Sequence, residues 1–138
     1  MNPDTGGPTD TGLDARLRVL LVDDHADTLS SLRMLLEHRG FDVTTASNGS
    51  TAIELAAQAR FDVLISDIGL PDSSGYEVVA AIHRLQHIPA IAFSGYGTDG
   101  DVERSHSAGF DRHFTKPVMV SRLVDAILEL VGLRGNSH

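Results

Sequence analysis

The chain predicts an α/β fold built around a parallel sheet, on three observations. Short apolar runs of strand length alternate with segments of helix length, the pattern of repeated βα units. Four of those runs end in polar residues at the point where the next helical segment begins. The last segment has a clear helical period, with Val120, Leu123, Val124, Ile127, Leu128 and Val131 at i, i+3, i+4, i+7, i+8 and i+11.

The four runs justify the strands in order. Leu17 to Val22 leads into Asp23-Asp24, and Val63 to Ser66 into Asp67; Ile88 to Phe93 leads into Ser94-Gly95, and Phe110 to Thr115 into Lys116-Pro117. A fifth strand is expected over Phe41 to Ala46. Between them, Asp27 to Arg39 predicts a first helix with Leu29, Leu32 and Leu36 on one face and Gly40 closing it. Ser50 to Ala59 predicts a second, burying Ile53 and Ala56 or Ala57. Tyr76 to Leu85 predicts a third, burying Val78, Val79 and Ile82. The segment Thr98 to Ala108 offers only Val102 and Ala108 as apolar contacts, and Gly95, Gly97 and Gly100 precede or open it. A helix with so little to bury is expected to be the least stable and the one that moves.

Composition narrows the class. With 138 residues the chain is one domain, and 41% hydrophobic and 22% charged residues are those of a water-soluble globular protein. A net charge of -8 disfavours a nucleic-acid surface, which needs clustered Lys and Arg. The absence of cysteine removes disulfides and thiolate chemistry and agrees with a reducing cytoplasm. No apolar stretch reaches the ~20 residues that span a bilayer, so a cytoplasmic location is expected. Residues 1–16, rich in Gly, Pro, Thr and Asp, read as a disordered leader or linker, 17–131 as the folded domain and 132–138 as a polar tail.

If the four runs are parallel strands of one sheet, their polar ends lie along one edge, where open α/β sheets bind ligands. That edge carries three carboxylates, a hydroxyl and an ammonium. Carboxylates held ~4 Å apart repel by ~4 kcal/mol per pair at an effective dielectric of ~20, so a cation or a proton is required. All-oxygen donors with room for water and phosphate favour Mg²⁺. A carboxylate can attack phosphorus to give an aspartyl phosphate, with metal, Lys and hydroxyl taking up charge on the transferred oxygens.

The ordered set Val22-Asp23-Asp24, Ser66-Asp67 with Leu70-Pro71-Asp72-Ser73-Ser74-Gly75, Phe93-Ser94-Gly95 and Lys116-Pro117 resembles the receiver domain of two-component response regulators, over about Arg18 to Val131. The resemblance implies a flavodoxin-like doubly wound (βα)5 sandwich with strand order 2-1-3-4-5. It implies Asp67 as phospho-acceptor, Asp24 as a direct Mg²⁺ ligand, Asp23 holding the metal's waters, and the Gly69 main-chain carbonyl as a further ligand. Lys116 would pair with the acceptor and then with the phosphoryl group, and Ser94 would turn toward it. His113 stands at the switch position, where the family usually has Tyr or Phe. The stretch Phe110 to Val118 looks most like receivers attached to hybrid histidine kinases. Gly69 and Tyr96 sit where family side chains guide or block the hydrolytic water, which implies slow self-dephosphorylation.

The implied function is a phosphorylation-dependent switch that assists its own phosphorylation and dephosphorylation and is not a turnover enzyme. A sensor histidine kinase or histidine phosphotransfer protein would donate, and an unknown downstream protein would read the surface of the fourth helix, fifth strand and fifth helix. The chain would be a monomer or a weak phosphorylation-dependent dimer. An aspartyl-phosphate hydrolase is the competing enzyme reading, weakened because Gly69 stands where such enzymes commonly carry a general acid. A flavin binder is the other, poorly supplied with aromatic residues. Among seven histidines no HxH or HExxH pattern occurs; His25, His38, His83, His87 and His106 are expected to face solvent, and His138 lies in the tail.

Overall fold

A computed structural model of the chain describes residues 16–95 and 99–135. Within them, five strands alternate with five helices: β1 (Arg18–Val22), α1 (Ala26–His38), β2 (Asp42–Ala46), α2 (Gly49–Gln58), β3 (Val63–Asp67), α3 (Gly75–His83), β4 (Ala90–Ser94), α4 (Asp99–Ala108), β5 (Arg112–Thr115) and α5 (Val120–Gly135). The strands form one parallel sheet in the order β2-β1-β3-β4-β5, as the resemblance implies. Residues 1–15 of the expected leader, residues 96–98 and residues 136–138 lie outside the described residues.

The sheet is covered on both faces, and residue parity decides which face each side chain serves. Val19 and Leu21 of β1, Ile65 of β3 and Ile91 and Phe93 of β4 pack with Leu32 and Leu36 of α1 and Leu123 and Ile127 of α5. The alternate residues Leu20, Val22, Leu64, Ala90 and Ala92 pack with Ala52 and Ala56 of α2 and Val78, Val79 and Ile82 of α3. Every residue of β3 and β4 is buried, as central strands of a parallel sheet require.

The helices begin and end where local chemistry dictates. Asn48 caps α2 by accepting from the Thr51 N–H at 2.8 Å. Ser74 and Glu77 form a reciprocal capping box at the start of α3. Gly40 follows α1 at φ 94°, a conformation that glycine adopts without a Cβ penalty.

Three of the expected helix faces need correction. In α2 the buried apolar residues are Ala52 and Ala56, with Ile53 only half-buried at the edge of that face. In α5, Leu128 is 51% exposed while Ala126 and Leu130 are buried. Each helical residue turns about 100° from the last, so Leu128 rotates off the face centred on Leu123 and Ile127. The helix also runs on to Gly135, taking in the first residues of the polar stretch that starts at Gly132. In α4, Val102 is 36% exposed and does not anchor the helix; among its described side chains Ser105 is the buried one, at 1%. Ala108, the other expected contact, is half-buried and packs against the α2–α3 core, so the expectation holds there and fails at Val102.

Candidate functional site

Register brings the polar strand ends together. Val22 pairs with Ser66, Asp67 with Phe93, and Ser94 with Thr115. Asp23-Asp24 after β1 and Lys116 after β5 therefore emerge beside Asp67 and Ser94. Asp67, Gly69, Ser94 and Lys116 line a single cavity, flanked by His25 and Tyr76.

Lys116 is the electrostatic centre. Its Nζ donates to Asp67 Oδ2 at 3.1 Å and lies 3.1 Å from Asp23 Oδ2. Asp23 is fully buried and its Oδ2 makes no aligned hydrogen bond, so the ammonium is its only described compensation on that side. Such a buried carboxylate oxygen retains coordination capacity that a cation can use. Burial pushes the Asp67 carboxyl above the ordinary Asp value, against the hydrogen bond from Lys116, and the nearby Asp23 charge pushes it the same way. For Lys116, burial works to lower the pKa, but hydrogen bonds and charge from Asp67 and Asp23 outweigh it and hold the ammonium above its usual range.

One carboxylate oxygen each from Asp23, Asp24 and Asp67, with a ring nitrogen of His25, lie within 4.8 Å of one another. Three hard oxygen donors of this kind fit Mg²⁺. His25 was expected to face solvent. Its side chain is indeed exposed, yet its Nδ1 is 3.0 Å from Asp23 Oδ1 and 3.3 Å from Asp24 Oδ1. Its backbone N–H also donates to Asp23 Oδ1 at 2.8 Å. His25 thus belongs to the acidic rim. His83 also departs from expectation: it is half-buried, with Nε2 2.9 Å from the Ile88 carbonyl oxygen.

The loop after β3 fixes the end of the strand that carries Asp67. Gly69 N–H donates to Asp67 Oδ1 at 3.2 Å, and Gly75 N–H to the Ile68 carbonyl at 2.7 Å. A Cβ on Gly75 would meet the Asp67 carbonyl oxygen at 2.5 Å, so only glycine allows α3 to start this close. Asp72 accepts from Gly49 N–H at 2.8 Å and Ser50 N–H at 2.9 Å, tying the loop to the start of α2. Those two N–H groups hold its carboxyl below the usual Asp range. The sequence marked Leu70 to Gly75 as a motif without giving these roles. The signal was the Asp, Ser and Gly spacing with Glu77 three residues after Ser74, the mark of a capping box.

Ser94 and His113, the expected switch pair, lie side by side. Ser94 Oγ is 3.0 Å from His113 Nε2. Tyr96 lies outside the described residues.

Comparison with known proteins gives the family and the fold. Residues 19–128 match the model of the response regulator receiver domain. The chain is similar to the polar-differentiation response regulator DivK of Brucella anthropi, at 33% identity over 117 residues, covering 83% of this chain and 95% of that protein. Its structure is similar to that of a CheY-like receiver domain protein from Methanospirillum hungatei, with a TM-score of 0.84 and 28% identity over 89% of this chain and 99% of that one. It is also similar to a response regulator from Burkholderia pseudomallei solved with a phosphorylated aspartic acid and a calcium ion, at TM-score 0.77 and 25% identity, over 86% of this chain and 71% of that one. The chain belongs to the response regulator receiver domain family, whose members are signalling switches.

Proposed function

We propose that the chain is a phosphorylation-dependent switch whose acceptor is Asp67. The observation that carries this reading is the Lys116 ammonium shared between Asp67 and the buried Asp23, beside the oxygens of Asp24. It leaves Asp67 at a cavity wall with a cation on one flank and donor oxygens on the other. Asp23, Asp24, Asp67 and the Gly69 carbonyl would hold Mg²⁺, which supplies positive charge for phosphoryl oxygens. Asp67 attacks the phosphorus of a phosphohistidine on a sensor kinase or phosphotransfer protein; the P–N bond breaks and its electron pair leaves with the imidazole. Lys116 then pairs with a phosphoryl oxygen, and Ser94 donates its hydroxyl to another. A cytoplasmic setting, where such donors and Mg²⁺ are found, accords with this reading.

A hydrolase reading is less well supported. No side chain stands at Gly69 to act as general acid, and the same gap leaves the hydrolytic water unguided. The phosphate is therefore expected to persist for minutes or longer; a half-life of seconds in the isolated chain contradicts that expectation. The test of the acceptor is intact mass after incubation with acetyl phosphate or phosphoramidate, with Mg²⁺ or EDTA. Wild type gains one phosphoryl unit only with Mg²⁺, and Asp67→Asn gains none. An equal gain in Asp67→Asn overturns the assignment.

A further inference from the structure

We propose that His113 and Ser105 form a hydrogen-bond relay that carries the state of Ser94 from the phosphorylation site into α4. The relay rests on the reading of Asp67 as acceptor and acts once the phosphoryl group is in place.

The relay is drawn by two contacts. His113 Nε2 lies 3.0 Å from Ser94 Oγ, and His113 Nδ1 lies 3.0 Å from Ser105 Oγ. The ring thus bridges the end of β4 to the middle of α4 through both its nitrogens. Its placement is set by the sheet. His113 pairs with Ala92, and the parity that sends Ala90 and Ala92 to the α2–α3 face sends His113 and Ser94 there too. On that face α4 presents the buried Ser105 where its neighbour α3 presents Val78, Val79 and Ile82. An aromatic hydrocarbon ring at position 113 could fill the same space, but it could not accept or donate at two ends. The second link from α4, the Arg104 guanidinium 4.8 Å over the Tyr76 ring, reaches the side of the same cavity.

Hydrogen-bond polarity then does the signalling. A neutral imidazole has one N–H donor and one bare nitrogen acceptor, so a ring bonded at both ends imposes a direction on its neighbours. With the proton on Nδ1, His113 donates to Ser105, and the Ser94 hydroxyl donates to Nε2. With the proton on Nε2, His113 donates to Ser94 Oγ and Ser105 donates to Nδ1. Only in the second arrangement is the Ser94 proton not given to the ring, so that it can be given to another acceptor. A phosphoryl group on Asp67 offers such an acceptor in the cavity that Ser94 lines. Phosphorylation accordingly selects the Nε2–H tautomer and turns the Ser105 hydroxyl toward the ring. The buried anchor of α4 thereby reads the phosphate through Ser94, and His113 and Ser105 are positioning residues and not catalytic ones.

The full chain, labelled with ¹⁵N histidine, tests this by long-range imidazole spectra before and after phosphoramidate and Mg²⁺, with intact mass taken on the same samples. The expected result is a gain of one phosphoryl unit, with His113 Nε2 moving to a protonated shift and Nδ1 to an unprotonated one. Amide hydrogen exchange of α4 should change on phosphorylation in wild type. That change should be lost in Ser105→Ala, which still takes up the phosphoryl group fully, and return in Ser105→Thr. A phosphorylated chain whose His113 shifts do not move, or whose ring becomes doubly protonated, overturns the relay alone. So does an unaltered α4 response in Ser105→Ala. No gain of mass overturns the acceptor reading, and the relay falls with it.

Discussion

Asp67, the proposed acceptor, opposes the fold that holds it. Burial raises its carboxyl above the unfolded value of 3.8, Lys116 notwithstanding. A carboxyl raised on folding favours the fold at pH below its unfolded value, and loses that contribution as pH rises through the folded one. Asp67→Asn, which cannot ionise, is therefore expected to be more stable than wild type at neutral pH by about 0.5–2 kcal/mol. The gap should narrow as pH falls toward 3.8, where wild type also becomes neutral at this site. Paired denaturant titrations across that range read it directly; a gap independent of pH would mean that the buried charge is not the cause. The residues that make this site were legible because each interrupts an apolar run, where a charge has no packing reason to be. Ser105 was not, since a serine in a polar helical segment looks like any surface residue until the fold buries it.

At the scale of elements, the loop from β3 to α3 does the positioning. Asp72 ties it to α2, Ser74 and Glu77 cap α3, and Gly75 lets the helix start against the Asp67 carbonyl. Gly75→Ala forces a Cβ into that contact and is expected to cost about 1–3 kcal/mol. Because the displaced atom belongs to Asp67, the proposed acceptor, phosphorylation by small donors should slow as well, as denaturant unfolding and timed intact-mass measurements would record. Loss of stability with an unchanged rate would detach the loop from the site. Strands and most helices could be read from period alone, with ends displaced by a residue or two because strand pairing, not the apolar run, sets them. The exceptions have physical causes: Leu128 rotates off its face over a long helix, and α4 is anchored by a hydroxyl that no apolar period reveals.

The whole molecule has the doubly wound plan, with Asp23, Asp24, Asp67, Ser94 and Lys116 at the carboxyl edge of one sheet. That plan makes metal binding a stability measurement. A ligand that binds only the folded state adds RT ln(1 + [L]/Kd), about 2.7 kcal/mol at a hundredfold excess over Kd. Mg²⁺ is expected to raise Tm by several degrees on this scale. Asp24→Ala should lose most of that rise while folding as well as wild type without the metal, because Asp24 is exposed. An equal Mg²⁺ response in Asp24→Ala would remove it from the ligand set. Fold and site were readable together here because the family's four strand-end motifs occur in order. The link from site to α4 has no signature in the sequence, since it joins residues 94, 105 and 113 through side chains on three different elements.

The central claim is that the phosphoryl group resides on one carboxylate. Chain phosphorylated by phosphoramidate and Mg²⁺, reduced with borohydride and mapped by peptide mass, locates it, because reduction converts an aspartyl phosphate to homoserine. Homoserine at position 67, absent without Mg²⁺, is the expected result. Homoserine at position 23 or 24, or a phosphoryl group retained on a histidine, would contradict it.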